Sequence, residues 1–559
     1  LKVVILCAGR GSRLGSMTDY IPKAMVTINR KPVISYILDQ IYDKSAFTEE
    51  VKTAIAVGYC SEVLKSYVSD FYQDKDITFI DVEKYQGTGS GPGYSLLQTA
   101  TFVAGEPFIL ILGDTLCFQD LSTFVDKNAS VIGIYDVENP ARFTTCDIDR
   151  DGYIKGFYDK QENAPSRKAI VGIYYIKDSK TFFEGLDKTR NNLIKEELQI
   201  SNGLLFLLQN GKKIKAQPTT WLDAGIKETL AFARNCLGDY DTIYKNNSLT
   251  IIQDDRVRKY GFDSYIEDFI CYFKAIQKMP AAKLYDEVIY ISETPPLYLD
   301  FKADVSNDQK LTLIFLRSPV SNEKALDIIR NVLEGFKKYL HSSQKPDVSP
   351  EDIDYEYKTH ILQKLENDET LKPFLTAETI KLNGLQIANP YLILKNMDTK
   401  QLLPPLYTHI HGNVYLGNII YNLAKDSFKL IYPRMWFGNS FIYGDYTLDL
   451  AMLRQCFNGK YNLIKANRFK LEQKSCCDYI MEVETTAVVD YVQNAFDSII
   501  RDLYPDDDTL IYRVRLLEGI LFLYNATNTN KAEMKLAFYL MAGHLLNAMR
   551  YLHVKNGKK

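Results

Sequence analysis

The stretch LCAGRGSRLGSMTDYIPKAM, residues 6–25, carries the side chains with the most evident chemistry. It follows an apolar strand directly. Gly9 and Gly11 lack side chains, so the backbone can pass close to a bound polyphosphate with its amide groups free to donate. Arg13 offers forked donors to phosphate oxygens, and Lys23 adds a compact positive charge. Such a loop suits attack of one phosphate on the α-phosphorus of a nucleoside triphosphate. That reaction depends on positioning, charge neutralisation and metal more than on a protein nucleophile. The acceptor phosphate needs no general base, because a phosphate monoester has its second pKa near ~6. All six histidines lie after residue 340, so the first half offers no histidine base. The loop is not a Walker A, since no Lys-Ser/Thr follows the glycines, and its spacing does not give GxGxxG.

The elements that must position this loop alternate. KVVILCAG (2–9), VKTAIAVGY (51–59), DITFIDV (76–82) and FILILGD (108–114) are short, β-rich runs, apolar on both faces. KPVISYILDQIYDK (31–44) and SEVLKSYVSDFYQD (61–74) read as helices between them. The rhythm predicts an α/β sheet of mostly parallel strands covered by helices. YIKGFYDK and KAIVGIYYI add strands beyond it. LGDYDTIYKNNSLT (237–250) is polar and turn-rich, and marks a boundary. SLTIIQDDRVRKYG and KLTLIFLRS are then expected as strands, and from about Glu323 the pattern turns mainly helical.

Length and composition set the frame. A chain of 559 residues exceeds what one core usually serves, so two domains are expected. The 67 basic and 70 acidic residues nearly cancel, which argues against a nucleic-acid or anionic-membrane surface. The nine cysteines form no CxxC and have no histidine cluster beside them, against zinc and against a disulfide framework. No run approaches the ~18 apolar residues of a membrane span, and Leu1 leads straight into a strand, so no signal peptide is expected. A soluble, cytoplasmic protein is the expectation.

Residues 6–25 resemble the signature of the sugar-1-phosphate nucleotidylyltransferases, and further landmarks of that family follow in order. YQGTGSG (85–91) resembles the segment that contacts the nucleobase, and LGDTL (112–116) the strand end whose aspartate holds Mg²⁺. FYDKQ (157–161) stands where the family has Glu-Lys-Pro, VGIYYI (171–176) resembles the strand lining the sugar pocket, and WLDAG (221–225) carries the second Mg²⁺ aspartate. The resemblance implies a Rossmann-like, GT-A-type domain over 1–238 with a mixed, mostly parallel sheet. It implies Arg13, Lys23 and Lys160 as catalytic, and Ala8, Gly9, Gly11, Ser12, Gln86, Gly87 and Thr88 at the nucleotide. Gly172, Tyr174 and Trp221 would meet the substrate, and Asp114 and Asp223 would hold Mg²⁺. The partners would be an NTP, with CTP or UTP favoured, and a sugar phosphate or similar small phosphorylated metabolite. The product would be a nucleotide-activated donor, in a capsule or surface-glycan context.

HIHGNVYLGNIIYN (409–422), KLIYPRMWFG and GDYTLDLAML resemble the aminoglycoside phosphotransferase and choline kinase family. This implies a protein-kinase-like α+β domain over 239–559, with a small sheet lobe at about 245–320 and a helical lobe at about 321–559. Lys259 is a candidate nucleotide lysine on a sheet-lobe strand. His411 and Asn418 match the family pattern, but Asn413 replaces the catalytic aspartate and Tyr432 the Mg²⁺-binding one. An amide cannot take the acceptor's proton, and a neutral phenol is a poor ligand for a hard cation. The domain is therefore expected to be kinase-inactive, in a binding or structural role. A bifunctional kinase–nucleotidylyltransferase, a GT-A glycosyltransferase and a nucleotide-sensing scaffold are the alternatives, and a helical second lobe leaves room for a homo-oligomer. The glycosyltransferase would need a DxD motif, for which the hairpin-like DID (147–149) is a poor candidate.

Overall fold

The structure is a computed structural model. It describes the chain apart from residues 43–46, 48, 162, 238–247, 254, 304–307, 318–319, 476 and 557–559, and apart from the side chains of 317 and 550–556. Two compact units emerge, Leu1–Ile266 with Tyr290–Asp300, and Glu267–Ile289 with Phe301–Lys559.

The first unit is built on a nine-stranded sheet: β1 (Lys2–Cys7), β2 (Lys52–Val57), β3 (Ile77–Asp81), β4 (Phe108–Leu112), β5 (Ser130–Asp136), β6 (Thr144–Ile148), β7 (Ile154–Asp159), β8 (Lys168–Ile176) and β9 (Ile214–Pro218). The spatial order is β7-β6-β8-β4-β1-β2-β3, with β5 beside β8 and β9 beside β5. Strands β4, β1, β2 and β3 run parallel, while β8 is antiparallel to β4 and to β5. The sheet is therefore mixed around a parallel heart. Period-2 alternation on β1 sends Val3, Ile5 and Cys7 to one face and Val4 and Leu6 to the other, and both faces are buried.

Helices α1 (Val33–Tyr42) and α2 (Ser61–Phe71) cover the first face. Helices α3 (Ser179–Lys188) and α4 (Ile200–Gln209) cover the second, and α5 (Lys227–Cys236) returns to the first. Helix α1 forms because Val33, Ile34, Ile37, Leu38 and Ile41 fall on one stripe at helical spacing, all buried.

The sequence boundary at 238/239 falls on residues outside those described. The strands Ser248–Gln253 and Arg256–Gly261, expected in the second domain, belong to the first compact unit. Leu249, Ile251, Tyr260 and Tyr298 join its core, and the buried Arg258 guanidinium pairs with both oxygens of Asp300 at 2.7 Å and with Asp70 of α2 at 2.6 Å.

The second unit is mainly helical, with α6 (Leu311–Arg317), α7 (Asn322–Gly335), α8 (Thr447–Phe457), α9 (Ala487–Leu503), α10 (Leu510–Thr527) and α11 (Ala532–Asn556). Helix α6 corrects the expectation of a strand at KLTLIFLRS. Leu311, Ile314 and Phe315 are buried at a spacing of three and four, which only a helix presents on one face. Short apolar runs are ambiguous between the two periods. Arg454 at the end of α8 pairs with Asp497 of α9 and Glu518 of α10, so one buried guanidinium ties three helices. Among the described residues no helix is long and apolar enough to cross a membrane, and no cysteine is in a disulfide.

Candidate active site

Strand β1 delivers the chain into the glycine-rich loop at the carboxyl end of the parallel strands, where ligands of open α/β sheets bind. The loop is pinned from below: Leu14 N–H donates to the Gly11 carbonyl at 2.9 Å, and the Thr18 hydroxyl reaches the Gly11 and Gly15 carbonyls at 3.2 Å. Gly11 has φ +70°, and a Cβ there would lie 2.9 Å from Lys23 Cβ. Glycine at this point lets the Lys23 side chain run along the loop. Its ammonium ends on the Asp114 carboxylate.

Asp114 follows β4 through Gly113, whose N–H donates to Leu6 O at 3.0 Å. Asp223 arrives from far along the chain on a two-stranded ribbon, Trp221–Asp223 against Thr115–Cys117, in which it sits opposite Thr115. Ala224 N–H closes the approach by donating to Asp114 O at 3.0 Å. The two carboxylates converge on Gly225: a Cβ there would lie 2.7 Å from Asp223 Oδ1 and 3.0 Å from Asp114 Oδ2. Asp223 accepts from Gly225 N–H and from the Thr229 hydroxyl, each at 2.9 Å. Burial and the neighbouring Asp114 charge raise its pKa. Burial pushes Asp114 the same way, but the Lys23 ammonium and the Arg13 guanidinium prevail and hold it below the usual carboxylate range.

These groups open into a cleft of about 660 Å³. Ala8, Gly9, Gly11, Ser12, Arg13, Lys23, Gln86, Gly87, Asp114, Lys160 and Tyr174 all line it. Four expected residues, Thr88, Gly172, Trp221 and Asp223, are not part of the lining. Thr88 follows Gly87 on the turn. Gly172, with φ +81°, backs Tyr174, and a Cβ there would come within 2.5 Å of Thr115 Oγ1. Trp221 packs edge-on against Phe143, ring centres 5.7 Å apart, and it is Phe143 that faces the cleft. Asp223 meets the lining through Asp114 and Arg142. Lys160 takes a left-handed conformation, φ +48°, with its N–H on Phe143 O at 3.0 Å. Burial keeps the Tyr174 phenol protonated by raising its pKa.

Arg142, Lys195 and Glu196, which no motif in the sequence marks, also line the cleft. Lys195 and Glu196 form a tight turn with φ +50° and +65°, closed by Ile194 N–H to Glu197 O at 2.9 Å. Gly89 N–H donates to Glu196 O at 2.7 Å, which docks the turn onto the 85–91 loop. A turn of this hand normally announces itself by Asn-Gly, and IKEEL carries no such signal.

In the second unit His411, Asn413, Asn418 and Tyr432 also come together. The Asn413 side-chain amide donates to Tyr432 O at 2.8 Å, and the Asn418 amide donates to Asn413 O at 2.8 Å. Asp449 accepts from the backbone N–H of His411 at 2.9 Å and of Gly412 at 2.6 Å. Asp445 is held by Thr447 N–H, the Tyr357 hydroxyl and Arg513. Burial lowers the pKa of His411 to about 4 and of His409 to about 3, so both rings are neutral at pH 7. Lys259 is buried in the first unit and donates to the Tyr265 hydroxyl at 3.2 Å.

Comparison with known proteins places a match over residues 2–240, to the family described as nucleotidyl transferase. The UTP–glucose-1-phosphate uridylyltransferase AglF of Haloferax volcanii is 27% identical over 223 residues, 39% of this chain and 87% of its own. The bifunctional protein GlmU of Methanococcus maripaludis is 28% identical over 215 residues, and the match spans 38% of this chain and about half (48%) of that relative. A glucose-1-phosphate thymidylyltransferase of Streptomyces antibioticus is 26% identical over 251 residues, 43% of this chain and 67% of the relative. Among solved structures, a UDP-glucose pyrophosphorylase complexed with UDP-glucose aligns over 43% of this chain and 99% of its own, at 23% identity and a TM-score of 0.37.

Proposed function

We propose, on the premise that residues 2–240 form a nucleotidyl transferase domain, that the protein joins an NTP to a sugar phosphate or a similar small phosphorylated metabolite. The products are a nucleotide-activated donor and pyrophosphate. The observation that carries the reading is the meeting of Lys23, Asp114 and Asp223 at the glycine-rich loop, from three distant parts of the chain.

The donor set fits Mg²⁺. Two carboxylates from Asp114 and Asp223 supply hard oxygens, and substrate phosphates would complete the shell. Bound there, Mg²⁺ would neutralise charge on the reacting phosphates. The chain's own residues do the rest. Backbone amides of residues 9–12 and the Arg13 guanidinium hold the triphosphate, and Lys23 moves from Asp114 onto its oxygens. Lys160 steers the acceptor phosphate. An oxygen of that phosphate forms a bond to the α-phosphorus as the bond from the α-phosphorus to the bridging α,β-oxygen breaks, and pyrophosphate leaves. Gln86, Gly87 and Thr88 face the base, while Tyr174 and Phe143, backed by Gly172 and Trp221, form the wall for the acceptor's body.

The second unit has a binding or structural role in this reading. The Asn413 amide is committed to a backbone carbonyl, where a general base would present a free carboxylate. The test is pyrophosphate release by the full chain with Mg²⁺, across four NTPs and a panel of sugar and small-alcohol phosphates, beside Asp114→Ala. Turnover with one pair, lost in the variant, supports the reading. Turnover that survives Asp114→Ala, or NTP binding without turnover by any pair, would contradict it.

A further inference from the structure

Arg142 lines the cleft and has no part in the chemistry above. It ends the short turn Pro140–Arg142, which Asn139 caps by accepting from Ala141 N–H at 3.2 Å, immediately before β6. Its guanidinium stands 3.9 Å from Asp223 Oδ2 and 5.3 Å from the centre of the Phe143 ring. At 3.9 Å the ion pair is too long for a hydrogen bond, and Arg142 makes none among the described residues. Asp223 has its own hydrogen-bond partners in Gly225 N–H and Thr229. The side chain is 37% exposed toward a ligand-sized space, with forked donors to spare.

The position of Arg142 is as informative as its idle donors. Each carboxylate of the pair has a cation within ion-pair distance, Lys23 on Asp114 and Arg142 on Asp223. Lys23 belongs with the glycine-rich loop. Arg142 belongs with Lys160, because the backbone N–H of Lys160 is bonded to the carbonyl of Phe143, the next residue after Arg142. Thr144 and Asp159, the neighbours inward on each strand, pair across β6 and β7 and bond through their side chains. Arg142 and Lys160 thus flank one end of the cleft, where a phosphate dianion approaching two carboxylates would need compensating charge. Arginine suits the task, since it stays charged and its planar fork matches two phosphate oxygens.

We infer that Arg142 binds the phosphate of the acceptor together with Lys160, resting against Asp223 until that phosphate arrives. The inference builds on the reaction proposed above. It is tested with the full chain, Mg²⁺ and the NTP–acceptor pair that turns over in the panel, with inorganic phosphate as an inhibitor. Arg142→Ala should raise the acceptor KM and the inhibition constant of phosphate about 10- to 100-fold, with the NTP KM within about twofold of wild type. Arg142→Lys should recover part of the loss. The melting temperature of both variants should match wild type, because the side chain is half-exposed and unbonded. An unchanged acceptor KM, or a rise confined to the NTP KM, would overturn the assignment while leaving the reaction standing. A wild-type chain inert across the whole panel would remove the reaction and this inference together.

Discussion

Removing the charge of Asp223 should stabilise the ligand-free protein and abolish its reaction. The Asp114 and Asp223 carboxylates each have an oxygen within 3.0 Å of the point where a Gly225 Cβ would lie, so those oxygens are no more than about 6 Å apart. Two unit charges at that distance repel by about 3 kcal/mol at an effective dielectric of 20. The Lys23 ammonium on Asp114 cancels much of this but not all, since burial and Asp114 still raise the Asp223 pKa. Asp223→Asn keeps an oxygen for Gly225 N–H, and the Thr229 hydroxyl can rotate to accept from the new amide. The net gain at pH 7 is about 1 kcal/mol, or roughly 2–4 °C in melting temperature for a unit of this size. A carboxyl whose folded pKa lies above its unfolded value destabilises the fold once both states are ionised. That penalty fades as pH falls through the folded pKa. The gain should therefore be largest at neutral pH and vanish toward pH 4. Thermal melts from pH 4 to 8 check it, with Mg²⁺ and NTP added in a second series. Wild type should then gain stability that the variant lacks, about 2.7 kcal/mol at ligand concentrations of 100 Kd. A variant less stable than wild type at pH 7, or a gain that does not change with pH, would refute the reasoning.

Other outcomes follow from the same geometry. Gly11→Ala should cost about 1–2 kcal/mol for its left-handed backbone and lower turnover at least about tenfold, because the added methyl displaces Lys23; melts and NTP kinetics read the two effects separately. Asn413→Asp should not create ATP-dependent phosphorylation, since Tyr432 remains. It should destabilise the second unit by about 1–3 kcal/mol at neutral pH, as a carboxylate cannot donate to Tyr432 O; gain of phosphoryl transfer would show a kinase one residue from repair. His409 and His411 have folded pKa values depressed to about 3 and about 4, so the unfolded chain takes up their protons first. Their contribution is complete above pH 6.5 and is lost as pH falls from 6.5 toward about 4 for His411 and about 3 for His409, which denaturant titrations across that window should register.

The first 115 residues were legible because their chemistry and their packing make the same demand. Strands buried on both faces must be apolar throughout, and the loop that bears Gly9, Gly11, Arg13 and Lys23 follows the first of them directly and lines the cleft. Asp223 was legible through its motif, although its partnership with Asp114 depends on a ribbon that pairs residues 115–117 with 221–223. Helix α6 is ambiguous in the sequence because its seven apolar-rich residues satisfy either period, and only the burial of Leu311, Ile314 and Phe315 decides between them. Arg142 and the Lys195–Glu196 turn left no trace. A single arginine in a loop has no pattern, and the turn, closed by Ile194 and Glu197, is docked at the cleft by the Gly89 N–H, which lies 107 residues away in sequence. That the strands Ser248–Gln253 and Arg256–Gly261 fall in the first compact unit has no local signal, because the bond that ties Arg258 to Asp70 spans 188 residues of sequence.

The most direct measurement follows the label. The full chain is incubated with Mg²⁺, a small phosphorylated acceptor and its NTP, carrying ³²P at either the α or the γ position. The expected result is α-label in the nucleotide-activated product and γ-label in pyrophosphate, both lost in Asp114→Ala. Label from the γ position on the acceptor would mean phosphoryl transfer, and would contradict both the role given to the first unit and the silence assigned to the second.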